Sequence, residues 1–157
     1  MLILIKQKKG MSLIEVIIAS AVVLFLSVVL INANLVYLKT SNINLNSIKA
    51  AYLAEEGVEV VNYLANDWDN LGAINTDYYL FWDGQAWLST TTKSYIDQKF
   101  ERSFVLEEVN RDSNDDIVLT GGVLDVNTRK VTVQISWPSG ASTTTKSISS
   151  YIFKSND

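Results

Sequence analysis

The feature that most constrains this chain is an apolar run close to its start, from residue 16 to residue 31. No side chain in the run is charged, and only two serines are polar. Counted from Met11, about 20 residues can cross a bilayer as a helix. Three lysines among the first ten residues would keep the start of the chain in the cytoplasm. The sequence therefore predicts one N-terminal membrane segment.

A cleaved secretory signal is the simplest alternative, but Ile31, Asn32 and Ala33 are a poor match to the small residues that its cleavage requires. Two further residues do not fit a plain anchor. Gly10 lies between the lysines and the apolar run, and Glu15 lies within the apolar segment. A carboxylate there costs roughly 2.5–3.5 kcal/mol on insertion scales. Glu15 therefore needs a cationic partner, or it would take up a proton instead.

Residues 10–16, which read GMSLIEV, resemble the processing site of the type IV prepilin and pseudopilin family. The resemblance implies that a membrane-embedded prepilin peptidase cleaves between Gly10 and Met11 on the cytoplasmic side. It also implies that the peptidase methylates the new amino terminus, Met11. Glu15 would then be the fifth mature residue, which in the family pairs with the N-terminal amine of a neighbouring subunit in a filament.

Several residues depart from the pattern of the family. Met11 stands where the family usually has Phe, and Leu24 and Asn32 stand where many major pilins have Pro and Gly. The chain contains no cysteine, so it has no disulfide loop. The absence of these helix breakers and of a disulfide loop favours a minor pilin over a major one. A pseudopilin of a type II secretion or competence system is the alternative within the family.

Beyond the apolar run, the sequence predicts that the helix continues to about Asn66. Apolar residues recur there at three- and four-residue steps, which is typical of an amphipathic helix. Glu55, Glu56 and Glu59 are predicted to face solvent, and Gly57 is predicted to weaken the helix by roughly 1 kcal/mol relative to Ala. The recurring residues are Leu45, Ile48, Tyr52, Ala50, Ala54, Val58, Val61 and Leu64.

Alternating apolar and polar residues predict an antiparallel sheet after the helix. Asp83 and Gly84 predict a type I′ turn in the first hairpin, and residues 138–140 predict the turn of the last one. The long helix is the obvious cover for the apolar face of the sheet. The strands are expected at residues 78–82, 85–88, 100–109, 117–119, 129–137 and 144–153.

The predicted fold is α+β and pilin-like, with a long N-terminal α-helix, transmembrane in its first half, packed on a C-terminal antiparallel β-sheet head. Four segments are expected along the chain. They are a leader at residues 1–10, a transmembrane or filament-core half of the helix at 11–38, its amphipathic half at 39–66, and a β-rich globular head at 67–157.

One group in the head has the spacing of metal ligands. Asp112, Asn114 and Asp116 alternate as in the start of a calcium loop. Ile117 and Val123 occupy the positions where an EF-hand requires Gly and Glu, so this is no EF-hand. A solvated turn is the preferred interpretation, with calcium binding as the alternative, and no other cofactor is expected.

The aromatic residues Tyr78, Tyr79, Trp82 and Trp87 suggest two interpretations. They could form a patch that binds a sugar or a surface. Packing in the core and across strands is preferred, because neighbouring strands bring such side chains together.

Composition excludes several classes of function. The chain contains no His and no Cys, which removes imidazole acid–base chemistry, thiol nucleophiles and the usual zinc sites. It carries 13 basic and 17 acidic side chains, which argues against nucleic acid as a partner. No enzyme is expected.

The expected partners are a prepilin peptidase, other pilin subunits and, before assembly, membrane lipid. The expected location is the cytoplasmic membrane, with the head outside the cytoplasm, and then a cell-surface or periplasm-spanning filament. The alternative from another class is a binding module with a permanent membrane anchor, which would not be cleaved at Gly10.

Overall fold

The computed structural model of the chain describes residues 12–155. One long helix, α1 (Leu13–Leu64), comes first, and a short 3₁₀ turn (Trp68–Asn70) follows it. The strands of the described part are β1 (Tyr78–Trp82), β2 (Trp87–Thr90), β3 (Tyr95–Ile96), β4 (Phe100–Arg111), β5 (Ile117–Val118), β6 (Val123–Ser139) and β7 (Ser142–Phe153). The predicted α+β architecture, with a long N-terminal helix packed on an antiparallel sheet, is confirmed.

Helix α1 begins where the sequence predicts and ends slightly earlier. The carbonyl of Ser12 accepts the backbone N–H groups of Glu15 and Val16, at 3.0 and 3.2 Å. After Leu64 the chain tightens into three-residue turns, with the Asn66 N–H donating to the Tyr63 carbonyl at 3.3 Å. Tightening of this kind is a common way for a helix to satisfy its last carbonyl groups.

Two compact units divide within α1, one up to Ile43 and the other from Asn44 onwards. The second unit contains the sheet, in which neighbouring strands follow the order β2-β1-β4-β6-β7. The short strands β3 and β5 pair with the two ends of β4. Along β6, Val131, Val133 and Ile135 are buried and alternate with more exposed polar residues, which gives the sheet one apolar face.

Small side chains bring α1 close to this apolar face. The buried residues of the helix are Ala50, Ala54, Gly57, Val60 and Val61. A Cβ atom added at Gly57 would lie 2.8 Å from Val133 Cγ1 and 3.2 Å from Arg102 Cδ. Gly57, predicted only as a weak point, is therefore a position where the helix needs a residue without a side chain.

Only some of the apolar residues that recur along this half of the helix pack on the sheet. Leu45, Ile48 and Tyr52 are exposed, whereas Ala50, Ala54 and Val61 are buried. The exposed and the buried residues lie on different sides of the helix, and one face of a sheet can cover only one side.

The turn of the first hairpin is longer than predicted. Trp82 pairs directly with Trp87, so four residues, not two, connect β1 to β2. Asp83 Oδ1 accepts the backbone N–H groups of Gln85 and Ala86, both at 2.8 Å. These bonds lower the pKa of Asp83, chiefly through the N–H of Ala86. The prediction of a type I′ turn was wrong. The Asp83 side chain accepts the backbone N–H groups of Gln85 and Ala86, which would belong to β2 if that strand began at residue 85 as predicted.

The last hairpin closes more tightly than predicted. Residues 138 and 139 belong to β6, and Pro138 pairs with Thr143 on β7. The pairing of β6 with β4 ends at Ser136, so Pro138 has a neighbouring strand on one side only. A proline is tolerated at such an edge, because no strand there requires its N–H.

Two pieces of strand were missed. β3 consists of only two residues and follows a polar Ser/Thr-rich segment. The first part of β6 contains Asp125 and Asn127, which hide its strand character. It pairs with the end of β4 after a register shift between Glu108 and Asn110, and a shift of this kind has no sequence signal.

Candidate functional site

The first half of α1 is an apolar surface without cover. Among the described residues, α1 is the one helix that is long and apolar enough to cross a membrane. Every residue from 13 to 38 is exposed. A helix that is apolar on all sides is typical of a membrane span or of the core of a larger structure. Residues 12–155 thus contain one N-terminal helix that is long and apolar enough to cross a membrane, which is consistent with a single membrane anchor.

The polar side chains of this half bond to the helix itself. Ser20 Oγ donates to the carbonyl three residues earlier at 2.9 Å, and Ser27 Oγ to the carbonyl four residues earlier at 2.8 Å. The side-chain amides of Asn32 and Asn34 donate in the same way, at 2.9 and 3.1 Å. Donors that are bonded inside the helix need no water, so these residues are compatible with an apolar environment.

Glu15 is the exception in this half. It is the only charged residue between positions 13 and 38, and it lies exposed in the first turn of α1. A negative charge is favourable there, because the helix dipole is positive at its N-terminus. Glu15 forms no ion pair within residues 12–155. Gly10 and Met11, the predicted cleavage and methylation site, lie outside the described residues.

The predicted calcium ligands lie in the loop between β4 and β5. Asp112 Oδ1 accepts the backbone N–H groups of Asn114 and Asp116, at 2.8 and 3.0 Å. The carboxylate therefore organises a tight turn. In the part of the chain that the structure describes, no three acidic side chains are grouped so that they could hold a metal ion. Calcium binding by these residues stays a prediction.

The four aromatic residues of the predicted patch divide into two pairs. Tyr79 is buried, and Tyr78 stacks on Phe104 with ring centroids 5.5 Å apart. Trp82 and Trp87 meet edge to face across β1 and β2, with centroids 5.7 Å apart. Trp82 is 53% exposed, so the second pair reaches the surface of the head.

An ion pair between a buried arginine and a partly exposed glutamate lies beside these tryptophans. Arg102 is only 3% exposed, and its Nη1 donates to Glu56 Oε2 at 2.6 Å and to the Leu53 carbonyl at 3.3 Å. The guanidinium also lies over the ring of Trp87, 5.0 Å from its centroid. These partners are necessary, because an unpaired buried charge is very costly. The Nε of Arg102 has no hydrogen-bond partner within residues 12–155.

Sequence reasoning missed this ion pair, although a signal was present. Arg102 lies two residues from Phe100 and two from Phe104, so the alternation of β4 places it on the buried face. Glu56 was predicted to face solvent. Its side chain is 46% exposed, but it also binds this arginine.

A second ion pair joins β4 to the first part of β6. Asp125 Oδ2 accepts the Thr128 hydroxyl at 2.5 Å and Arg111 Nε at 2.7 Å, and Oδ1 accepts the Asn127 N–H at 2.9 Å. The hydrogen bond from Thr128, followed by that from Arg111, lowers the pKa of Asp125 to about 2. The carboxylate therefore stays charged at neutral and mildly acidic pH.

No family model matches the chain, and no curated protein or solved structure matches it. The family resemblance therefore depends on residues 10–16 and on the apolar run that follows them.

Proposed function

We propose that this chain is a structural subunit, a minor pilin, of a type IV pilus-like filament. A prepilin peptidase cleaves it after Gly10 and methylates Met11, and the mature subunit assembles through its N-terminal helix. The precursor crosses the cytoplasmic membrane once, with its head outside the cytoplasm. In the filament, the apolar half of α1 lies among the helices of other subunits, and the head lies on the outside.

The observation that carries the proposal is the uncovered apolar half of α1. Its side chains are exposed on every side of the helix, while the other half of the same helix is built into the core of the head. Lipid tails and neighbouring apolar helices are similar environments, so little free energy is lost when the helix exchanges one for the other. Such a segment suits a subunit that is stored in a membrane and then assembled.

Glu15 gives this assembly a fixed register. Its carboxylate is the only charge in an otherwise apolar segment. Opposite charges attract strongly where the dielectric constant is low, so an N-terminal amine from a neighbouring subunit would stabilise it. Each subunit would then be held at one height relative to the next.

There are two alternatives, and the experiment below separates the second of them from the proposal. A pseudopilin of a type II secretion or competence system would be processed in the same way and would differ in where its filament ends. A permanently anchored binding module would keep its first ten residues.

The experiment is to co-express the chain with a prepilin peptidase and to measure the intact mass of the product extracted from membranes. The proposal predicts a chain that begins at Met11 and carries one additional methyl group. The variant Gly10→Leu should remain uncut, and Ser20→Leu, a similar change within the apolar run, should be processed normally.

A wild-type chain that still begins at Met1 would contradict the proposal, provided that the peptidase cleaves a known prepilin in the same cells. That result would support the permanently anchored binding module.

A further inference from the structure

The head contains a cavity at a fork in its sheet. β1 pairs with β4 only at Tyr78 and Tyr79, and the next residues of β4 towards its start pair with β3 instead. The second half of β1 therefore leaves β4, and a space opens between β1, β3 and the helix. Its volume is about 330 Å³, which is within the usual range of small-molecule sites.

Aromatic residues form part of the wall of the cavity. Trp82, Trp87 and Tyr95 line it, and Trp82 and Tyr95 are 53% and 58% exposed. Exposed aromatic rings of this kind offer flat apolar faces at the mouth of a site. The guanidinium of Arg102 lies over the ring of Trp87. This cation–π contact holds the ring in place in the absence of a ligand.

Two charged side chains and the hydroxyl residue Ser94 line the cavity. Arg102 and Glu56 both line it, and they are joined at 2.6 Å. Arg102 Nε is a donor without a partner among residues 12–155, but it is buried out of contact with solvent, so a ligand in the cavity cannot reach it. Glu56 uses Oε2 for the ion pair and is 46% exposed, so its carboxylate is reachable from solvent.

We propose that this cavity binds a hexopyranose unit of a neutral saccharide. One face of the sugar ring lies against Trp82, and a hydroxyl group of the sugar donates to the carboxylate of Glu56, which uses only Oε2 for its ion pair.

The charges of the cavity disfavour ionic ligands. An anion that approached Arg102 would also meet the carboxylate of Glu56, and a cation that approached Glu56 would meet the guanidinium. Because the two charges already neutralise each other, a ligand that is uncharged, rich in hydroxyl groups and apolar on one face is the best fit. The site lies within the unit that begins at Asn44 and does not depend on processing after Gly10.

The experiment titrates the detergent-solubilised full-length chain with methyl glycosides of glucose, galactose and mannose, and with chitotriose, and follows tryptophan fluorescence and saturation-transfer NMR. We expect saturable binding of at least one of these saccharides. The permethylated form of that saccharide, which cannot donate to Glu56, should bind at least about 10-fold more weakly.

Variants locate the site. Trp82→Ala and Tyr95→Ala should each weaken binding by about 10-fold, because an aromatic face is lost. The control is Tyr63→Ala, since Tyr63 is also exposed but does not line the cavity. The unfolding midpoint of each variant verifies that the head is folded. Binding of none of the four saccharides, or binding that both cavity variants leave unchanged, would overturn the proposal.

Discussion

Both halves of helix α1 have a helical backbone, but their side chains differ in burial. The first half is almost entirely apolar, yet its side chains are exposed. The second half contains three glutamates and several polar residues, yet Ala50, Ala54 and Val61 in it are completely buried. Burial within the chain therefore does not follow hydrophobicity alone.

The difference lies in the arrangement of large and small side chains. The second half has a stripe of Ala, Gly and Val that allows close approach to the sheet, and glutamates occupy other sides. The first half has large apolar residues in all directions, so no single face could bury it against one sheet. Only a membrane or another molecule can bury these side chains. This is why we propose that the first half of the helix is the part that assembles.

The largest contrast is expected from one substitution made in the core of the head, on β4, and in the first half of the helix. Phe104 is fully buried and Phe25 is 68% exposed. Phe104→Ala should lower the free energy of unfolding by about 3–5 kcal/mol, because it leaves a cavity in the core. Phe25→Ala should change it by less than about 0.5 kcal/mol. All four tryptophans lie after residue 67, so tryptophan fluorescence in a denaturant titration of the solubilised chain reports on the head.

Equal effects of these two substitutions would break the comparison. They would mean that the stability of the head depends on the first half of the helix as much as on its own core.

Glu15→Leu should have the next largest effect, on assembly and not on the fold. Removal of one partner of a buried ion pair costs about 3–5 kcal/mol, so the variant should insert in the membrane but be scarce in filaments. Immunoblotting of purified filaments and of membranes measures both pools. Ser20→Leu is the control, because it makes the same apolar half more apolar without removing a charge. Incorporation of Glu15→Leu at the level of this control would refute the pairing.

Gly57→Leu examines the close approach of the second half to the sheet. The added side chain would collide with Val133, and overpacking of this kind costs about 1–3 kcal/mol. Glu59→Leu introduces the same side chain at an exposed position of the helix and should change stability by less than about 0.5 kcal/mol. Denaturant midpoints compare the two. If Gly57→Leu were as stable as the control, the helix would not lie as close to β6 as described.

The smallest effect is expected from the substitution Asp125→Asn, which should alter the pH dependence of stability. The pKa of Asp125 is about 2 in the folded chain, below the ordinary value of 3.8. A carboxylate of lowered pKa stabilises the fold above its ordinary pKa, and this contribution is lost as the pH falls from about 4 towards 2. The thermal midpoint of Asp125→Asn should therefore fall less between pH 5 and pH 2 than that of the wild type. Glu59→Gln, at an exposed site, should behave like the wild type, and identical pH profiles for Asp125→Asn and wild type would contradict the assignment.

Sequence reasoning succeeded where one periodic signal dominated. The apolar run and the three- to four-residue spacing predicted a helix close to Leu13–Leu64, and alternation at residues 129–137 predicted the centre of β6 and its buried face. The uncovered state of the first half also follows from its composition, because it has no polar side to direct it towards a sheet.

The parts that sequence reasoning missed depend on contacts between distant residues. The ion pair of Arg102 and Glu56 joins positions 46 residues apart, and the fork between β1 and β3 depends on which residues of β4 each strand meets. The role of Gly57 depends on Val133, which lies on another element. Local patterns carry no information on such partners, so the cavity could not be predicted from sequence.

The most direct measurement of the central claim uses the absence of cysteine from the chain. Phe25 and Tyr52 lie in the two halves of α1 and have the same exposure, 68%. Single variants Phe25→Cys and Tyr52→Cys, in open membrane fragments, are treated with a charged maleimide that does not enter lipid. The account predicts rapid labelling of Tyr52→Cys and labelling of Phe25→Cys only after denaturation. Equal labelling of both variants in the membrane fragments before denaturation would contradict it.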